Sequence, residues 1–514
     1  MSDIFDLTAL ELGAAIRQGE VSPTQAARAA LDRMEETKEN GAFVAVTADR
    51  ALDRAREIEQ QLAAGKYTGP LAGVPMALKD NICTKGVSTT CASKILTGFV
   101  PPYDATLVER LGEQGAVCLG KVNMDEFDNA ATTYPKPPEV RRAVADAIAR
   151  YGNAGRGGHV IAERTSEMVY HARETVADFF DAKVENTIFT LNCTHALNVA
   201  IQGVLKPGDH VILSDLEHNS VYRPIAALAR AGKVTYSLLE VSENDSETIR
   251  RLQGLFRPNT KAVVCTIASN VTGQILPYRE IAQVCRSHGV CMIADGAQAC
   301  GILPLSLERD GMHILCTAGH KGLYGSTGTG ILMTDCAFPI QPLMQGGTGS
   351  ASRSPEQPDF LPDRLECGTL NVVGAASLCA GIDFVRRQTV AGLYRHESRL
   401  CELLCDSLAD VPEITVYRKP GVAYVPIVSF TVDGASPEET AAYLDKQGFC
   451  LRAGLHCAPL AHEKLGTKDG TVRFAPSAFS RASDTLLLGA NLKNYVNILK
   501  SPKNLLKNSG DMLQ

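Results

Sequence analysis

The chain reads as an α/β protein built on a mostly parallel sheet covered by helices, followed by a smaller α/β domain. Three observations predict this. Seven short apolar runs, NTIFTLN, HVILSD, VTYSLLEV, KAVVCTIAS, VCMIAD, HILCTAG and GILMTD, alternate with stretches of helical periodicity between residues 186 and 335, the pattern of parallel strands joined by helical crossovers. Polar residues and glycines cluster just past these runs, where ligands of parallel sheets bind. A second series, ITVYRK, VAYVPIVSFTV and the helix SPEETAAYLDKQG, comes after a long helical region from Ala375 to Leu408.

Composition narrows the function classes. A chain of 514 residues with 45% hydrophobic and 21% charged content fits a soluble globular protein of two or three domains. The formal charge of −6 gives no electrostatic footprint for nucleic acid. Sixteen cysteines are scattered without a C-x-x-C pair, which fits a reducing compartment better than a disulfide framework. No run approaches ~18 apolar residues, and the start, MSDIFDLTALELG, lacks a basic and then apolar signal pattern. A cytoplasmic protein that does not engage a membrane is expected.

The stretch from His313 to Gly330, HILCTAGHKGLYGSTGTG, delivers Lys321 from the end of an apolar strand into a loop with five glycines from Gly319 to Gly330. It is not a phosphate loop, because Lys321 follows His320 and precedes Gly322 instead of completing Gly-Lys-Ser/Thr. A lysine desolvated in such a place loses its proton more readily, and its neutral amine can form a Schiff base; a surface lysine in a glycine-rich turn is the plainer alternative. Reading the residues past each other strand samples the rest of the site. Cys193, Thr194 and His195 open a helix whose free N–H groups suit a phosphate. His218 follows HVILSD, Asn270 follows VVCTIAS, and Asp295 to Gln298 follow VCMIA.

The order Thr/His, His, Asn, Asp-x-x-Gln, His-Lys along successive strand ends resembles the class V aminotransferases of pyridoxal phosphate (PLP) fold type I, and most closely the cysteine desulfurase family, over residues ~128–499. The resemblance implies that Lys321 holds the cofactor through its amine and later moves protons at the substrate's α-carbon. Asp295 would pair with the pyridinium nitrogen, His218 would stack on the ring, and Asn270 and Gln298 would bond the ring oxygen. His320 would join Thr194 and His195 at the phosphate, completed by Gly368 and Thr369 of a neighbouring subunit, hence a homodimer. The family often has serine where this chain has Ala318; the adjacent Thr317 is the replacement hydroxyl expected here.

The second domain supplies FCLRAGLHCAPLAHEKLG, a glycine segment in which Cys457 follows His456. RAGLHCAP is similar to the desulfurase active-site phrase, which implies conversion of L-cysteine to L-alanine with a persulfide on Cys457, passed on to a sulfur-acceptor protein. Arg473 in GTVRFAPSAF matches the family's arginine for the substrate carboxylate, a task for which a guanidinium fork is suited, and Arg452 would be a nearer contact. A selenocysteine lyase, or a class V enzyme of another reaction with Cys457 idle, would use nearly the same residues. No metal site is expected.

Residues 1–127 differ in character. Leu7 to Ala63 is largely helical in pattern, with Ser22 as an N-cap and Pro23 at the first helical position. GPLAGVPMALKDNICTKGVSTTCASK then sets Lys79 at the end of an apolar strand. This segment, through DATLVERLGEQGAVCLGKVNMDEF, resembles the amidase signature family, specifically the amidase subunit of glutamyl-tRNA amidotransferase. There the lysine is the base of a Ser-cisSer-Lys triad, but the serine-bearing run is missing here, so Lys79 is a vestige without a nucleophile to activate. The expected organisation is a truncated, helical amidase-like segment (1–127), a PLP-binding large domain (128–375, with 128–142 packing on the small domain), a small domain (376–500) and a tail (501–514). A non-catalytic amidotransferase partner acting through residues 1–127 is the competing reading from another class.

Overall fold

The computed structural model describes residues 4–36, 43–66, 69–80, 82–90, 98–122, 128–154 and 158–501. The chain divides into two compact units, Met1–Asp125 and Glu126–Gln514. The expected tail beyond Ser501 lies outside the described residues, and no described helix is long and apolar enough to cross a membrane.

The first unit is mixed, not simply helical. Helices Ala9–Arg17, Pro23–Glu36 and Ala48–Ala63 form where the apolar period predicted them. Ser22 caps the second through a reciprocal pair with Gln25, at 2.9 and 3.1 Å. Between and after them come β1 (Phe43–Val46), β2 (Pro75–Lys79) and β3 (Val117–Val122), in the order β1-β3-β2 with β2 parallel to β3. Small residues of the helices, Ala27, Ala51 and Ala55, pack on Val117 and Leu119. Lys79 closes β2, but its side chain lies outside the described residues. Phe99, Val100, Tyr103 and Leu107 stay exposed.

The second unit carries, among the described residues, a sheet of seven strands: β4 (Thr187–Thr190), β5 (His210–Ser214), β6 (Thr235–Leu239), β7 (Thr260–Thr266), β8 (Cys291–Asp295), β9 (Ile314–Ala318) and β10 (Gly330–Thr334). Their order is β4-β10-β9-β8-β7-β5-β6, and only β10 runs against the rest. These strands read as continuous apolar runs because helices cover both faces. Alternation along β9 sends Leu315 into one core and Ile314, Cys316 and Ala318 into the other.

A second, four-stranded antiparallel sheet has the order β11-β12-β14-β13, from β11 (Ile414–Val416), β12 (Val428–Val432), β13 (Arg452–Gly454) and β14 (Thr471–Phe474). Phe430 and Phe474 pack beneath Leu400, Leu404 and Leu492. The helical region expected as one is two helices, Val372–Gln388 and Val390–Leu408. Thr389, at φ 60°, breaks it, and its hydroxyl accepts from Gly392 N at 3.0 Å.

The loop bearing Lys321 is pressed against the turn after β8. Gly301 sits at φ +86°, and a Cβ there would lie 2.1 Å from the carbonyl oxygen of Gly322. Gly301→Ala is therefore expected to destabilise the protein by more than ~1 kcal/mol, read as a lower urea midpoint. An unchanged midpoint would contradict so close an approach.

Candidate active site

Because β10 alone is reversed, the carboxyl ends of β4, β5, β7, β8 and β9 lie along one edge of the sheet. Apart from Gly368 and Thr369, each expected site residue of the large domain lies at or just past one of those ends. Asp295 is the last residue of β8 and is 3% exposed. Its Oδ1 accepts from Ala297 N at 2.9 Å and from the Cys193 thiol at 3.5 Å. Burial and the adjoining carboxylate push the Cys193 thiol well above its ordinary value, so it stays protonated and donates. Lys321 is half-buried; burial lowers its amine's pKa, against the attraction of Asp295 and Cys193.

His218 caps helix Asn219–Arg230, its Nδ1 bonded to Ser220 N at 3.0 Å. Burial first, and then Lys321, Arg452 and Arg473, press its pKa to about 4 in spite of Asp295. All four charged groups thus act on one neutral imidazole.

The helix after β4 begins at Cys193 and is capped by Asn192, whose side chain accepts from His195 N at 2.9 Å. Thr194 is exposed at its first turn. His195 accepts from Leu191 N at 3.2 Å through Nδ1, while its buried Nε2 has no partner. His320 is similar: burial takes its pKa to about 4, and its buried Nδ1 has no partner. A buried polar atom left unpaired is costly and calls for a ligand or water. Gly368, at φ +85°, and Thr369 follow Glu366, whose carboxylate holds the buried Arg173 guanidinium at 2.6 and 2.9 Å. Within one chain Thr369 lines the same cavity as His195.

One expectation, that for Thr317, is corrected here, and several expected site residues already have partners. Thr317 does not replace the missing serine: strand alternation turns it away from the face of Ala318, and its hydroxyl donates to Gly296 O at 3.3 Å in a fully buried position. Asn270 gives its side-chain amide to His456 O at 2.7 Å, and Gln298 gives its own to Ala130 O at 3.0 Å. Arg473 is not a free fork, because Asp128 grips it through both oxygens at 2.6 and 2.7 Å. Arg452 is exposed, with Nη2 3.9 Å from the Cys457 sulfur.

Cys457 sits in a turn held from several sides. His456 and Cys457 occupy consecutive left-handed positions, φ 47° and 57°, a strained arrangement for side chains with a Cβ. Three contacts hold it. Asn219 N donates to Cys457 O at 2.7 Å, Asn270 holds His456 O, and the His456 ring meets Thr471 O at 3.0 Å. Burial takes the His456 pKa to about 2, so this ring is a neutral strut. The exposed sulfur is thereby set beside the helix start that carries His218.

Other groups gave no sequence signal. Glu217, fully buried, accepts from Thr266 N at 2.8 Å, and burial raises its pKa to about 8. Glu397 lines a cavity with Lys321 and Gln298, and accepts from Tyr324 at 3.2 Å. Only the fold brings these residues to the site.

The profile of the family described as Aminotransferase class-V matches residues 126–485, and that described as Amidase matches residues 25–140. The chain belongs to the aminotransferase class-V family. Among its relatives, a probable cysteine desulfurase of Methanothermobacter thermautotrophicus is 31% identical over 375 residues, 71% of this chain and 93% of that protein. One of Vibrio cholerae is 29% identical, over 73% and 94% of the two chains. Among solved structures, the apo cysteine desulfurase of Thermococcus onnurineus aligns with a TM-score of 0.67 at 27% identity, covering 73% of this chain and 95% of that one. The cysteine desulfurase CsdA of Escherichia coli gives 0.64 at 25% identity, covering 73% and 94%.

The pH dependence of stability follows from Glu397. Burial raises its folded-state pKa from 4.5 to about 8, so the folded chain keeps this proton where the unfolded chain loses it. The associated stability is complete below pH 4.5 and is lost as pH rises through 8. Glu397→Gln is expected to lose less of its urea midpoint than the parent between about pH 6 and 9; parallel losses would contradict a buried, protonated Glu397.

Proposed function

We propose that this protein is a PLP-dependent cysteine desulfurase that converts L-cysteine to L-alanine and leaves a persulfide on Cys457. The observation carrying this reading is one edge of the sheet where a desolvated lysine, a buried carboxylate and a neutral histidine meet, with a cysteine of the second sheet's loop held beside them. The match over nearly the whole length of proteins named cysteine desulfurases supports it.

PLP is the cofactor that the class V family implies, and the donor set fits it. His195 Nε2 and His320 Nδ1 are two buried nitrogens awaiting partners, and the helix start at Cys193 adds a positive dipole end. Lys321, Asp295, His218, Thr194, His195 and His320 would hold it, with Gly368 and Thr369 of a second subunit completing the phosphate end in a homodimer. Bound there, PLP would supply an electron sink for charge developing at the substrate's α-carbon.

The chain's own residues do the rest. Lys321, whose amine burial makes easier to deprotonate, accepts and returns a proton at the α-carbon. Arg473 receives the substrate carboxylate on the N–H groups that Asp128 leaves unused, with Arg452 at the exposed rim. The Cys457 sulfur attacks the substrate sulfur: the carbon–sulfur bond breaks, a sulfur–sulfur bond forms, and a proton ends on the carbon that becomes alanine's methyl. The persulfide's exposure suits transfer to an acceptor protein. Residues 1–127 contribute no amide hydrolysis, since Lys79 has no serine to activate.

Lys321→Ala is expected to abolish the visible absorption of the loaded protein. Cys457→Ala should keep the colour and lose sulfide release from L-cysteine. A coloured Cys457→Ala protein that still yields sulfide would name the wrong nucleophile, and pyruvate in place of alanine would favour another class V reaction.

A further inference from the structure

Arg473 lies on β14, opposite Arg452 of β13, and is 1% exposed. A guanidinium so buried is tolerated only when paired. Nε and Nη2 donate to the two oxygens of Asp128, and Nη1 donates to Asn270 O at 2.7 Å. A guanidinium presents five N–H donors in one plane, so these contacts leave one on each Nη. Asp128 is itself fixed: it bridges Ala475, and Asn129 donates to Ala475 O at 3.0 Å from both its backbone and its side chain.

We propose that Asp128 is a positioning residue for substrate recognition: it locks the plane of Arg473 so that the two unused N–H groups meet the carboxylate of the amino-acid substrate. This rests on the substrate reading above. A singly held arginine would rotate about its side-chain bonds and present the pair in many directions, whereas the two-point grip leaves one. Because Asp128 neutralises the guanidinium, recognition depends on direction more than on net charge. Asn270 extends the device, since its carbonyl takes Nη1 while its side chain holds the loop of Cys457. The carboxylate subsite and the sulfur are thus braced by one residue.

The test uses the full chain loaded with PLP and follows its visible spectrum on titration with L-alanine and with ethylamine, which lacks the carboxylate. Asp128→Asn should weaken L-alanine by about tenfold or more and leave ethylamine within about twofold. Equal weakening of both, or undiminished L-alanine binding, overturns the proposal. Added to Arg473→Lys, Asp128→Asn should cost little more, because both changes act through one group; additive losses overturn it as well. Should Asp128→Asn fail to fold, Asp128→Glu replaces it with the same expected split between ligands. Neither probe contains sulfur, so the result stands apart from whether L-cysteine yields sulfide.

Discussion

The site depends on placing several charges where water is scarce and keeping each one offset. Asp295, Arg473 and Asp128 all lie within electrostatic reach of Lys321, and isolated burial of any of them would cost several kcal/mol. Pairing resolves this unevenly. Asp128 grips Arg473 through both oxygens, and Asp295 is steadied by a thiol and a backbone N–H. Lys321 gains the least direct support. Its amine is therefore the group most easily persuaded to give up its proton, as a Schiff-base lysine requires.

The histidines follow the same logic. His218, His320 and His456 are all driven toward the neutral form by burial, so the site gains polar rings without additional charge. Their roles diverge through their partners. His456 spends its Nε2 on Thr471 and stiffens the loop of Cys457. Both His456 and His320 keep a buried Nδ1 unpaired, and the His320 carbonyl collects Thr132, Thr133 and Lys136 at 2.7 to 3.2 Å. The strain at His456 and Cys457 persists because neighbouring elements hold both carbonyls.

The large sheet was legible because its inner strands, such as β5, β8, β9 and β10, are buried along their whole length and so stand out as apolar runs. β13 and β14 were not, being three and four residues long and each containing an arginine. The break at Thr389 also escaped notice, since periodicity continues across a single left-handed residue. Amidase likeness in the first segment was readable from GVPMALKDN, while its sheet was obscured by the stronger helical pattern around it. Site residues were readable wherever chemistry follows a strand end directly, as at Asp295 and Lys321.

The sequence by itself determined the order of strands along the chain, the residue standing at each strand's end and the family to which the chain belongs, because these are local properties of pattern and motif. Only the tertiary structure decided which side chains are already spoken for. Thr317 faces away from the site because the pleat alternates, and Arg473 is held by Asp128, 345 residues distant, because chain crossings between the sheets bring them together. A pairing across such a distance leaves no periodic trace in the sequence; it is fixed by where the backbone returns.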